Sequence, residues 1–239
     1  MAPLGLVLIL GLIAALANLA GGLLLLKKGV QRYLHGFVAF GSGFLIAVAI
    51  VEMLPESFHL APFAAPFLIL AGFCSVHILE HTLVSHFHVG EETHTHEFVH
   101  AGKAYSLTFG LTAHTFFDGI AIASGFAFSG KLGWLIFAGV LLHKLPVGFT
   151  VASVMLASGQ GKRVAVFSAA LLGVSTLAGV VAIRIFPTLA HYGLPVSAGV
   201  ALYVAATDLL PEVNRERGLH YRLLFLFGVA VMIVLGQLQ

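Results

Sequence analysis

Charge is scarce in this chain. Asp, Glu, Lys and Arg make up 9% of its 239 residues, 59% are hydrophobic, and the mean hydropathy is +1.02. A soluble domain carries roughly 25% charged residues, so the balance excludes a soluble globular domain and indicates an integral membrane protein of several spans. Cysteine is almost missing: Cys74 stands alone, which excludes an internal disulfide and a Cys-rich zinc module and leaves a small packing residue. No basic run with interleaved aromatics occurs and the formal charge is only +2, so nucleic acid is not an expected partner. No soluble signalling domain is recognisable either.

What the chain has instead is apolar runs. Eight are long enough to span about 30 Å of hydrocarbon at about 1.5 Å per helical residue, near residues 3–26, 34–54, 62–85, 104–128, 132–158, 164–186, 192–210 and 219–236. The first lacks a basic leader and is followed by Lys27 and Lys28, which favours a retained helix over a cleaved signal peptide. With the N-terminus outside, Lys27, Lys28, Arg32, Lys103, Lys162, Arg163, Arg215, Arg217 and Arg222 fall on the cytoplasmic side, against Lys131 and Arg184 outside. This positive-inside bias places both termini outside a plasma or bacterial inner membrane. The expectation is an all-α integral membrane protein, residues 1–239 forming a single transmembrane transporter domain with the lipid bilayer around it.

Chemistry is concentrated in the fourth and fifth runs. His114 and Asp118 stand four residues apart, with Gly119 next; 29 positions later His143, Val147 and Gly148 repeat the spacing. A spacing of four puts two side chains on one helix face, a turn apart. Ionisable groups at that depth cost several kcal/mol and need a reason to be there. His114, Asp118 and His143 supply three N/O ligands and leave an open position, as in a site that exchanges its ion. Two imidazoles and one carboxylate suit zinc or another first-row cation better than calcium or magnesium. The ion is cargo here rather than a cofactor. Zinc is expected first, with iron, manganese and cadmium left open. Gly119 and Gly148 are expected to leave space or a carbonyl beside it.

The second and seventh runs echo one another. Residues 43–56 and 199–212 share the ending acid-x-Leu-Pro-Glu at an offset of 156 residues and run in opposite directions. Such an echo suggests an inverted repeat, segments one to three against six to eight around a central pair, as in alternating-access transporters. Glu52 and Asp208 are expected on a polar pathway, with Met53 as an additional ligand candidate. For Glu56 and Glu212 two readings stay open, a pathway role or a simple helix stop at the proline. His77, Glu80 and His81 can share a helix face as an exit site or a structural polar cluster. The His-rich cytoplasmic loop of residues 86–103 carries His86, His88, His94, His96 and His100 and reads as a low-affinity metal collector. Neutral imidazole is required for that, so capture should weaken below about pH 6.5.

Taken together, His-x-x-x-acid-Gly on the fourth segment, His-x-x-Pro on the fifth, eight segments, a His-rich loop after the third and the Leu-Pro-Glu endings resemble the ZIP family of zinc and iron transporters. The resemblance covers essentially the whole chain. It implies a 3+2+3 helix arrangement, a metal path between the central pair and the flanking repeats, and import of a divalent cation toward the cytosol. His114 and Asp118 match the family's fourth-segment ligands and His143 the fifth-segment one. Many members hold two ions through an Asn, an acid and a bridging Glu, and those positions are Thr115, Lys144 and Val147 here. The sixth segment contributes no carboxylate. That departure leads to the expectation of one metal ion, with Lys144 in place of the second: its ammonium could pair with Asp118 and keep it ionised, or its stem could snorkel to an interface or vestibule away from the metal.

Two rivals come from other classes: an intramembrane zinc hydrolase activating water on the same trio, and a membrane metal sensor. The inverted echo and the shortage of a general acid or base argue for a transporter and against an enzyme. Small-residue rows such as Gly41 and Gly43, or Ala198 and Gly199, allow close helix contact and leave a homodimer open.

Overall fold

In hydrocarbon a helix satisfies every backbone N–H and C=O within its own segment, so long apolar runs fold as helices. The computed structural model describes residues 3–25, 31–79, 101–216 and 218–237, and among them every regular element is helical. In chain order these are α1 (Leu4–Leu24), α2 (Gln31–Val48), a π-helical stretch (Ala49–Met53), α3 (Leu54–Leu60), α4 (Ala65–Ile78), α5 (Ala101–Phe128), α6 (Gly130–Ala157), α7 (Lys162–Ile185), a short 3-10 turn (Pro187–Leu189), α8 (Ala190–Tyr203), a second π-helical stretch (Val204–Leu209), α9 (Leu210–Arg215) and α10 (Leu219–Gln237).

Among the described residues, six stretches are long and apolar enough to cross a membrane: Gly5–Leu24, Tyr33–Leu60, Gly130–Ala157, Lys162–Ile185, Pro187–Arg215 and Leu219–Gln237. Ala65–Ile78 is apolar but shorter. α5, 28 residues long, is not among the six, and it buries Thr108, His114, Thr115 and Asp118. Large apolar side chains such as Phe67, Phe167, Leu226 and Phe227 point outward, as they must where lipid is the solvent. The chain is a multi-pass helical membrane protein.

The two echoed segments share more than sequence. Each contains a π-helical stretch bearing its acid, Glu52 or Asp208, and each leads straight into Leu-Pro-Glu. Pro55 and Pro211 then fall in the first turn of α3 and α9, where a missing N–H breaks no ladder. The helix does not stop at the proline, as a plain stop signal predicts; it takes in one extra residue and runs on to Leu60 and Arg215.

Glycines decide where helices cross. A Cβ on Gly43 would collide with the carbonyl of Phe225, and one on Gly228 with that of Phe40; Gly72 meets Val196 and Gly199 meets Ile69 in the same way. Gly119 lies against the Thr176 carbonyl and Gly179 against that of Phe116, while Gly21 meets Leu145 and Gly148 meets Asn18. Four reciprocal crossings result: α2 with α10, α4 with α8, α5 with α7, and α1 with α6. A shift of 156 residues carries Gly43 onto Gly199 and Gly72 onto Gly228, and the 29-residue shift of the His motifs carries Gly119 onto Gly148. Gly119 and Gly148 therefore seat neighbouring helices; the space beside each is filled by a carbonyl of the crossing helix. Between these pairs α5 and α6 pack on each other.

A methyl group at such a crossing has no room to move into, and overpacking of this kind costs about 1–3 kcal/mol. Gly72→Ala should therefore lower the melting temperature in detergent by several degrees, at roughly 2–4 °C per kcal/mol for a chain of this size. Gly5→Ala, with nothing within 4 Å of the added methyl, should not. Equal melting temperatures for the two variants would contradict the crossing.

Candidate metal centre

The i to i+4 spacing on α5 brings the His114 Nε2 to 3.2 Å from Asp118 Oδ2. From α6, His143 Nε2 reaches the same oxygen at 3.4 Å. The two imidazole rings lie 5.6 Å apart, centroid to centroid, and the candidate ligand atoms of all three residues are within 4.8 Å of one another. All three are buried. Two zinc bonds of about 2.0–2.1 Å meeting at the tetrahedral angle hold their ligand atoms roughly 3.3–3.5 Å apart. The observed 3.2 and 3.4 Å are close to the edge lengths of such a polyhedron.

Hydrogen bonding sharpens this. His143 Nδ1 donates to the Gly139 carbonyl at 2.9 Å, and a carbonyl can only accept. In the neutral imidazole Nε2 then keeps its lone pair and faces the carboxylate oxygen, acceptor against acceptor, unless a proton or cation stands between them. His114 Nε2, though within ion-pair distance of Asp118, lies outside hydrogen-bond geometry, and neither of its ring nitrogens has a hydrogen-bond partner. A buried imidazole with both nitrogens unpartnered has ligand capacity to spare.

One cation is already present. Lys144, fully buried, donates from Nζ to Asp118 Oδ2 at 2.6 Å. The oxygen that both histidines approach is thus also the anchor of an ammonium. An unpaired ammonium in this interior would be costly, and the carboxylate and ammonium compensate each other.

The other residues singled out by the sequence scatter. Thr115 is buried and donates its hydroxyl to the Thr112 carbonyl at 3.0 Å. Met53 sits in the apolar core. Glu52 pairs with Lys131 at the start of α6, 3.5 Å away. Asp208 is buried and accepts from its neighbour Thr207 at 3.2 Å. Neither acid belongs to the group formed by the trio. His77 Nδ1 lies 3.5 Å from the Tyr203 hydroxyl. Glu80 and His81, and His86, His88, His94, His96 and His100 of the loop, lie outside the described residues.

A second group of ligand-type side chains joins α2 to the end of α9: His35, Glu212 and Glu216, with His35 Nδ1 at 2.7 Å from Glu216 Oε1. Sequence reasoning reached Glu212 through the Leu-Pro-Glu echo but not His35 or Glu216. No spacing rule links residues so far apart in the chain; only the packing of α2 on α9 brings them together.

Comparison with known proteins points in one direction. The family model described as ZIP zinc transporter matches residues 91–236, more than half of the chain. Zinc transporter SLC39A7 of Rattus norvegicus is 32% identical over 142 residues, covering 53% of this chain and 30% of that protein. Human zinc transporter ZIP4 is 32% identical over 125 residues, 51% of this chain and 19% of the relative. Zinc transporter ZIP13 of Gallus gallus is 28% identical over 140 residues, 53% of this chain and 37% of the relative. The alignments span about a third or less of the length of these curated relatives.

Proposed function

The chain belongs to the ZIP zinc transporter family, and on that premise we propose that it moves a divalent cation, zinc first, across the membrane toward the cytosol through a mononuclear site of His114, Asp118 and His143. The observation that carries this reading is the shared oxygen: two imidazole nitrogens converge on Asp118 Oδ2 at zinc-ligand spacing. Iron, manganese and cadmium have the same borderline chemistry and are alternative cargo. Three protein ligands, one of them anionic, make modest affinity, which suits a carrier that must release its ion.

The 3+2+3 arrangement, with an inverted repeat around the pair α5 and α6, is supported by the paired π-helical stretches and by glycine crossings that recur at constant offsets. Residues 1–239 then act as one transporter domain with both termini outside a plasma or bacterial inner membrane, in line with the lysine and arginine distribution. The loop of residues 86–103 receives the ion on the cytoplasmic side. Against the hydrolase reading stands Lys144 on the only carboxylate of the trio, which leaves the trio itself no free carboxylate to act as general base. A sensor would need no transport, and metal uptake by the purified chain separates the two.

Lys144 stands where many family members are expected to hold a second ion. Its positive charge repels an arriving dication while it anchors Asp118. Replacing it with Met should tighten zinc binding by about tenfold, the equivalent of ~1.4 kcal/mol, and lower the melting temperature of the metal-free protein, because Asp118 loses its counter-charge. Zinc should restore that stability. Titration calorimetry and thermal melting with and without zinc read both effects; unchanged affinity and melting temperature would rule out the fixed-cation role. Elemental analysis of the native protein after dialysis against zinc should give one His143-dependent ion per chain, and two would contradict the mononuclear site.

A further inference from the structure

Asn18 is the one polar side chain of α1, and it is fully buried with neither its Oδ1 nor its Nδ2 hydrogen-bonded. A buried amide without partners is costly in any interior and more so in a membrane. Its position suggests what it is for. α1 crosses α6 where Gly21 meets the Leu145 carbonyl and Gly148 meets the Asn18 carbonyl. A Cβ added to Gly22 would come within 3.6 Å of the Gly148 carbonyl and 3.7 Å of the Ala152 methyl, besides meeting Ala169 of α7, so α1 and α6 stay close beyond the crossing. Asn18 stands three residues before Gly21 and Lys144 four before Gly148, which puts each on the crossing face of its helix, one turn back. Both are fully buried, and their positions one turn back from the crossing of Gly21 and Gly148 on each helix place them beside the same seam.

The related crossing of α5 with α7 has a different chemistry. There Gly119 meets the Thr176 carbonyl as Gly148 meets that of Asn18, so Thr176 corresponds to Asn18, and Thr115 to Lys144 by the 29-residue shift. Both threonines spend their hydroxyls within their own helices, on the carbonyls of Leu172 and Thr112. On the α1 side an ammonium and an unused amide oxygen take those places.

We propose that Asn18 is the second berth of Lys144. When a divalent cation takes Asp118 Oδ2, the ammonium leaves that oxygen and is received by Asn18 Oδ1, remaining charged and buried throughout. Cation binding and lysine displacement are then one exchange, and Asn18 is a positioning residue that sets how readily the site accepts its ion. This rests on the reading that the cation binds at His114, Asp118 and His143.

Zinc titration of the purified full-length chain in detergent tests it, with Asn18→Leu and Asn18→Asp each in the native and the Lys144→Met background, and His143→Ala as the blank. Asn18→Leu should weaken binding about tenfold by stranding the displaced ammonium; Asn18→Asp should strengthen it about tenfold by drawing the ammonium off Asp118. Both changes should vanish once Lys144 is Met, a coupling that a purely structural role of Asn18 would not produce. Equal changes in the two backgrounds, or no change in either, overturn the berth. If the Leu variant fails to fold, the Asp variant against its Lys144→Met partner decides the matter, and if that fails, Asn18→Ser replaces it. Native protein without His143-dependent zinc binding would instead refute the central-site reading, and the berth with it.

Discussion

Asp118→Asn should remove zinc transport and destabilise the metal-free protein together. The carboxylate is the only anion of the trio and the single oxygen on which His114, His143 and Lys144 converge. An amide there offers a weaker, neutral ligand, so zinc affinity should fall by at least about 100-fold, the upper range that even outer-sphere changes reach in metal sites. The same substitution strands the fully buried Lys144 ammonium. Breaking a buried pair by removing one partner costs about 3–5 kcal/mol, or roughly 6–20 °C in melting temperature for a chain of this length. Asn18 softens that loss without cancelling it, since an amide oxygen holds an ammonium less strongly than a carboxylate. Adding Lys144→Met to Asp118→Asn should recover most of the stability and none of the zinc binding. A variant that melts with the native protein and still binds zinc would show that the carboxylate is neither ligand nor counter-ion.

His143→Ala should separate those two consequences. His143 Nε2 faces the site while its Nδ1 proton is committed to Gly139, so the ring is oriented as a ligand is and carries no charge pair with it. Its loss should cost zinc affinity about as heavily as the loss of Asp118, again at least about 100-fold. The Asp118–Lys144 pair survives, so the metal-free melting temperature should drop much less than in Asp118→Asn. Calorimetric titration and melting of the two variants side by side give the contrast. Similar destabilisation by both would mean that His143 is a structural polar residue.

The His114 and Asp118 pair was legible in the sequence because i to i+4 is a local rule, and His143 because it repeats the motif at a fixed interval. The adjacency of Lys144 to His143 likewise put an ammonium in the neighbourhood, and the structure sets it on Asp118 at 2.6 Å. The helical, membrane-spanning class followed from composition alone. Three things were not legible. The π-helical stretches insert one residue without disturbing an apolar pattern, so a helix stop at Leu-Pro-Glu stayed open beside a pathway role, although the helix runs on. Gly119 and Gly148 looked like part of the proposed ion's surroundings because they adjoin the His motifs; only the carbonyls of the crossing helices show that they are packing sites. His35 with Glu216, and Asn18 with the turn that bears Lys144, meet through tertiary packing between distant segments, which no spacing along one chain can indicate.

The most direct test of transport through this site is zinc influx into lipid vesicles containing only this protein, read by a fluorescent indicator inside, for the native chain and for His143→Ala. Saturable influx through the native chain, reduced to the level of protein-free vesicles by the substitution, is the predicted result; influx that His143→Ala leaves intact, or none through well-folded native protein, would contradict it.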